Sequence, residues 1–347
     1  MDARAKKFLL ITIDTLRADH LGCYGYRKNT SPHLDALARQ GILFRHAYSP
    51  CTYTVPAHAS IMTGKYVPHH SIGYYQGSRA LDVNRDITLA EVMRSKGLAT
   101  AAFVSALVLH REWRLDSGFE VYNDTMTGSE QNRPFALIRD GLQTNAAALA
   151  WIKKHGYEKF FVWIHYFDVH GPYLPPAPYN SCFAPEDYGE EPVLLEVVDD
   201  GSAGGIPRYQ LLRDDQTGEV IRDARHYLAG YDGGVRYVDH VVGELFRELQ
   251  EVNLFPEMLV IITSDPGEAL GENNVYFFHG LTLTPEQIHV PLLVKLPAGE
   301  NPAGQNASVP VSTVDIMPTL LEMVDFDYRH LSLDGLPLWW ALQRPEL

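Results

Sequence analysis

Three acidic positions and a threonine carry the chemistry available to this sequence. Asp14 closes the apolar run KFLLITI, and Asp265 closes a second, EMLVIITS, over 257–264. Asp168 and His170 follow a third, KFFVWIHY, over 159–166. A single carboxylate beyond a buried strand is as often a helix cap or a turn residue as a ligand. Asp14 and Asp265 together, on two strands, make a hard-cation site. Such a cation would stabilise charge on a transferring oxyanion and acidify a bound hydroxyl.

In TYTVPAHAS, Pro56 suits the first turn of a helix, where its missing N–H costs nothing. Thr54 then stands just before the helix, facing exposed N–H groups that favour an anion. It is a nucleophile or merely a cap, and local sequence does not choose. His58, His69, His70, His170 and His279 fall in loops or at helix starts rather than on apolar faces. His170 and His279 lie nearest the proposed site strands and could donate to a substrate anion or protonate a leaving group.

These residues need a scaffold that brings strand ends together. The run Lys7–Ile13 reads as a buried parallel strand. SPHLDALARQ (31–40) has a cap residue, a proline at the first helical position and a closing Gly41. Further helices are expected over 88–95, 137–155, 222–250 and 315–323, and further strands over 100–105, 159–166, 257–264 and 289–296. The 222–250 stretch spaces its apolar residues by three and four, as a long amphipathic helix does. Residues 171–218 are rich in Pro, Gly and acids and too long for an ordinary loop, so they read as an active-site flap or insertion within one domain spanning 1–347. Strands alternating with helices predict an α/β fold: a doubly wound, mostly parallel sheet with helices on both faces and ligands at the carboxyl ends of its strands.

The bulk numbers narrow the partners. At 347 residues and 46% apolar the chain can bury a large core, and a formal charge of −14 argues against nucleic acid or an anionic membrane as partner. A local basic pocket for a small anion is still allowed. Cys23, Cys51 and Cys182 show no paired or metal-type spacing and read as reduced thiols. The apolar run after MDARAKK is too short for a signal peptide or a membrane span, so a cytoplasmic location is expected. Oligomeric state is not encoded legibly.

Taken in order, ITIDTLRADHLGCYGY, TSPHLDALARQGILFRHAYS, TVPAHASIMTGKYVPHH, FVWIHYFDVHGPYLPP, YDGGVRYVDHVVGELFRELQ, VIITSDPGEALGEN, FFHGLTL, HVPLLVKLP and STVDIMPTLLEMV resemble the sulfatase family of the alkaline phosphatase superfamily from the first strand to near the C-terminus. The resemblance implies an alkaline phosphatase-like fold. Sulfatases place a cysteine or serine, oxidised to formylglycine, two residues before the motif proline, and an arginine two residues after it. Here those positions hold Thr54 and His58, and Cys51 lies three residues too early. Threonine cannot yield that aldehyde. The resemblance therefore points away from a formylglycine sulfatase and toward the phosphodiesterase and phosphotransferase branches, where a metal-bound threonine attacks phosphorus.

The transferable metal set is Asp14, Thr54 and Asp265. The lysine-and-histidine segment of sulfatases is replaced by AAFVSALVLH, Thr15 stands where a second carboxylate is expected, and Pro266 stands where relatives have a histidine or asparagine ligand. Oxygen donors alone suit Mg²⁺, Ca²⁺ or Mn²⁺ better than Zn²⁺. The resulting expectation is a metal-dependent hydrolase or transferase of small anionic sulfate or phosphate esters. Thr54 is its nucleophile, and His58, His170 and His279 bind or protonate the substrate. The alternative is a family member with decayed catalysis that keeps ligand binding or a scaffold role, and Pro266 is its main support.

Overall fold

The structure, a computed structural model, describes residues 6–70, 72–73, 80–300 and 304–343, so the first five residues of the MDARAKK run fall outside it. The central sheet contains β1 (Lys7–Ile13), β2 (Ile42–Phe44), β3 (Ala99–Phe103), β4 (Val121–Asn123), β5 (Phe160–Tyr166), β6 (Met258–Thr263), β7 (Leu292–Lys295) and β8 (Gln305–Ala307). Their order across the sheet is β8-β2-β7-β6-β1-β5-β3-β4. Only β7 runs against its neighbours; the other pairings are parallel. This is the mostly parallel α/β sheet expected from the alternation of strands and helices.

The main helices are α1 (Pro32–Gln40), α2 (Thr54–Thr63), α3 (Leu89–Ser95), α4 (Gly141–His155), α5 (Ala224–Glu251) and α6 (Ile316–Met323). Side chains alternate across β1, so this central strand feeds two cores. Leu9, Ile11 and Ile13 belong to the core built with α1, α4 and α5. Phe8 and Leu10 belong to the core built with α2, α3 and α6. Every residue of β1, β5 and β6 is buried, which is why these strands read as continuous apolar runs. Each fully buried Leu or Ile contributes roughly 1.5–3 kcal/mol.

Two elements depart from expectation. The helix expected over 137–155 begins only at Gly141, because the Asp140 carboxylate accepts the Leu142 N–H at 2.9 Å and caps it there. Leu137–Ile138 instead pairs antiparallel with Gly128–Ser129 as a hairpin. The strand expected over 289–296 divides at Pro291, which has no N–H to give to a ladder. His289–Val290 pairs with Ala47–Tyr48 in a separate small sheet, and Leu292–Lys295 joins the central one.

Residues 171–218 hold short helical turns at Tyr179–Ser181, Pro185–Tyr188 and Arg208–Gln210, and a paired ribbon of Glu196–Val198 with Gly205–Pro207. Side chains tie the segment down. The Tyr188 hydroxyl donates to Asp232 of α5, and Gln210 Nε2 donates to the Phe277 carbonyl at 2.9 Å. No helix among the described residues is long and apolar enough to cross a membrane.

Candidate active site

The register of the sheet sets the site. Thr12 of β1 pairs with Thr263 of β6 on one side and with His165 of β5 on the other. Two residues beyond this row, Asp14 and Asp265 emerge at the carboxyl edge, both fully buried. Among the described residues neither oxygen of either carboxylate has a hydrogen-bond partner, and the buried Thr15 hydroxyl also lacks one. Buried like charges cannot both ionise without help. Burial first, and then the Asp14 charge, push Asp265 well above the usual carboxylate range. Burial would raise Asp14 too, but the three imidazoles facing it, first His165 with Nε2 3.6 Å from Asp14 Oδ2, then His170 and His279, outweigh it and leave it lowered.

Thr15 occupies the left-handed region at φ 55°, a conformation that strains a β-branched residue. The Tyr231 hydroxyl of α5 holds it there. It donates to the Thr15 carbonyl at 2.7 Å and accepts the Arg17 N–H at 3.0 Å. The turn after β1 is thus pinned from the long helix, with Asp14 at its start.

Thr54 is the first residue of α2, and its hydroxyl lies close enough to Asp265 to favour that group's charged form, without a hydrogen bond of ordinary geometry. Asp14, Asp265 and Thr54 therefore converge. Of the three, Thr54 opens onto a cavity of about 370 Å³, lined also by His170 and His279 among others, while Asp14 and Asp265 stay buried behind it. Cys51 is excluded as an alternative nucleophile: burial pushes its thiol up to about 12, so it stays protonated.

The histidines separate. His58 is fully buried and does not line the cavity, which corrects the expectation that it meets substrate. Its two nitrogens are both engaged. Trp163 Nε1 donates to Thr12 Oγ1 at 3.0 Å, that hydroxyl has its one proton left to give to His58 Nε2 at 2.9 Å, and His58 Nδ1 donates to the Thr54 carbonyl at 2.8 Å. Burial drives its pKa down to about 3, so it is neutral, as this relay requires. His58 clamps the start of α2 from behind. A signal existed: the helix TVPAHASIMT has almost no polar face, and all ten of its residues are buried.

His170 and His279 face each other edge to face with centroids 5.4 Å apart, and their environments push them in opposite directions. His170 stacks on Phe167 and donates Nδ1–H to the Gly171 carbonyl at 2.7 Å; burial lowers it to about 3, leaving a lone pair on Nε2. For His279, burial alone would lower the pKa, but the charge and hydrogen bond of buried Glu268, with Nδ1 to Oε1 at 3.2 Å, outweigh burial and raise it. Asp168 takes the bland role: its Oδ1 accepts the Gly141 N–H at the start of α4 at 3.0 Å.

Sequence reasoning missed His165, Glu268 and Arg133. His165 sits inside an apolar strand, where only its polarity among buried neighbours marked it. Glu268 follows Asp265 in a motif that drew attention to Pro266 instead. Arg133 lies on the connection between the hairpin strands and lines the same cavity as Thr54.

Among the described residues no group of three or more His, Cys, Asp and Glu side chains is placed to hold a metal ion. The donors at hand are the two unpartnered carboxylates and the hydroxyls of Thr54 and Thr15. The buried, unsatisfied oxygens of Asp14, Asp265 and Thr15 fit a hard cation, which would relieve the repulsion between the carboxylates.

Comparison with known proteins bears on this geometry. The family model described as Sulfatase matches residues 6–326. The multifunctional alkaline phosphatase superfamily protein PehA of Trinickia caryophylli is 26% identical over 91% of this chain and 73% of its own length. The ulvan-active sulfatase of Formosa agariphila is 25% identical, and the match covers 90% of this chain but 60% of that protein. Among solved structures, the phosphonate monoester hydrolase of Agrobacterium radiobacter superposes with a TM-score of 0.71 at 21% identity, covering 97% of this chain and 77% of its own, which shows a shared fold.

Proposed function

Since this chain belongs to the sulfatase family, we propose that it is a hydrolase of small anionic sulfate or phosphate esters that uses Thr54 as nucleophile in place of formylglycine. The observation that carries the reading is the convergence of Thr54, which lines the cavity, with the buried carboxylate pair Asp14 and Asp265 beneath it. Names of relatives support ester hydrolysis of both kinds: a sulfatase, a phosphonate monoester hydrolase and a multifunctional superfamily member.

Asp14, Asp265 and the Thr54 hydroxyl are the residues to hold a divalent cation, Mg²⁺, Ca²⁺ or Mn²⁺ in preference to Zn²⁺. When bound, such an ion supplies positive charge that acidifies a hydroxyl and offsets charge on the transferring group. The chain's own residues do the rest. Two titratable groups with pKa values driven apart mark an acid and a base. The Thr54 oxygen attacks sulfur or phosphorus while neutral His170 takes its proton, and the bond to the ester oxygen breaks as His279 protonates that leaving group. Water then opens the ester on Thr54. His279 accepts the proton of the water, and His170 returns its proton to the departing Thr54 oxygen. The relay through His58 keeps Thr54 at the mouth of its helix throughout.

A second reading is a member that has lost turnover and retained binding. Pro266, with no side-chain ligand where the family has one, favours it. One experiment decides between them. Purified protein is assayed for stoichiometric Mg²⁺, Ca²⁺ or Mn²⁺ and for release from a panel of aryl sulfate, phosphate monoester, phosphate diester and phosphonate substrates. Metal binding with turnover that is lost in Thr54→Ala supports the enzyme. Metal-free, inactive protein under saturating metal overturns it.

A further inference from the structure

An anionic ester needs a cation in its pocket, and the obvious suppliers are gone. His58 occupies the position at which the family motif carries arginine, and it is neutral, fully buried and not among the residues lining the cavity. AAFVSALVLH replaces the basic segment of sulfatases and contributes Ala106, Leu107 and Val108 to the cavity wall instead. Among the described residues that line the cavity, Arg133 is the only lysine or arginine.

Arg133 is also held as an anion receptor should be. Its Nε and Nη2 donate to the two oxygens of Glu130 at 2.6 and 2.8 Å, a bidentate pairing that fixes the plane of the guanidinium. Glu130 is itself buried, so the anchor does not wander. The guanidinium carbon stands 4.3 Å from the centroid of the Tyr209 ring, which fixes the head from one face. The two ties use Nε and Nη2, and Nη1 makes no hydrogen bond to any described residue of the protein. The charge of Arg133 reaches both imidazoles across the cavity, disfavouring protonation of His170 and of His279. It therefore sits in the same field as the acid and the base, on the hairpin connection 130–136 rather than on the sheet edge.

We propose that Arg133 binds the anionic group of the ester through Nη1, with Glu130 as its positioning residue, and so replaces the cation missing from α2. This rests on the reading of the cavity as an ester site, but the binding of an anion is separable from its turnover. A guanidinium already paired to one carboxylate still offers donors on its far edge, and it suits a tetrahedral oxyanion better than a point charge does.

The test measures equilibrium binding of inorganic sulfate, phosphate and tungstate by calorimetry to the wild-type chain and to Arg133→Gln, Arg133→Lys and the double variant Arg133→Gln/Glu130→Gln. The double variant avoids leaving Glu130 buried without a partner. Thermal melts confirm that each is folded. Wild type is expected to bind at least one of the three anions. Both glutamine variants should weaken that binding by tenfold or more, and lysine should recover part of the loss. Binding in the folded double variant as tight as in wild type overturns the proposal, as does a wild-type protein that binds none of the anions. Wild-type anion binding that depends on Arg133, in a protein that turns over no ester, leaves the inference standing and removes the hydrolase reading alone.

Discussion

Asp14 and Asp265 are neighbours because Thr12 and Thr263, two residues before each, are register partners on adjacent parallel strands. No loop has to fold correctly for the carboxylates to meet. The sheet places them, and a slip of one residue would turn one of them to the opposite face. Their mutual repulsion is therefore built into the fold and awaits positive charge.

That repulsion predicts metal behaviour. Titration with Mn²⁺, Mg²⁺ and Ca²⁺ should show one oxygen-ligated site, and chelation should lower thermal stability, since whatever binds only the native state stabilises it. Pro266→His should tighten binding by roughly tenfold or more, as second donors to metal sites commonly do. If calorimetry finds binding already tight and unchanged by histidine, Pro266 is no defect.

Thr54→Ala should leave the melting temperature nearly unchanged and reduce ester turnover by about 10³-fold or more, the scale of losing a group that acts as a unit with its partners. Thr54→Ser should keep measurable activity, because the hydroxyl is retained. Turnover of the alanine variant at the wild-type rate would move the attack to water.

His58→Ala should act on stability first. It removes a buried ring and strands the Thr12 hydroxyl and the Thr54 carbonyl, a cost of about 2–4 kcal/mol. Denaturant melts read the loss directly. In whatever fraction stays folded, kcat should fall while KM changes little, because His58 touches the nucleophile's helix and does not reach the cavity. A pure rise in KM would place the ring against substrate after all.

The raised pKa of His279 sets a pH dependence. The protonated imidazole is the acid, so kcat should fall as pH rises through its pKa. Glu268, Asp14, Arg133 and His170 are the groups acting on it. Glu268→Gln removes the largest stabilising charge, lowers the pKa and should shift the alkaline limb to lower pH. A limb that stays in place would show that another group carries the proton.

The sheet could be read from sequence because it depends on short-range patterns, the unbroken apolar strands. Asp14, Thr54 and Asp265 stand out as strand ends, a helix start with its proline and positions matching the family resemblance, while their meeting is the work of register between distant strands. What could not be read depends on partners distant in the chain. Ser31 has the composition of an N-cap for α1, yet makes no side-chain cap. Asp239 of α5 takes that work, accepting the Leu34 N–H at 2.8 Å and the His33 N–H at 3.0 Å. His58 is expected at the substrate because it holds the motif's arginine position, while its surroundings are Thr12 and Trp163, on strands 46 and 105 residues away. Leu137 and Ile138 match a helical pattern and were claimed by a hairpin partner that periodicity does not see.

That hairpin has a consequence for how such a protein can change. Asp14 and Asp265 follow strands whose register cannot shift without loss of the core, whereas Arg133 and its anchor Glu130 ride on a short connection between Gly128–Ser129 and Leu137–Ile138. Recognition and reaction are thus inherited on separable pieces of chain. A lineage can rewrite the few residues between those two strands, and with them the choice of anion, while the machinery at the sheet edge passes on untouched.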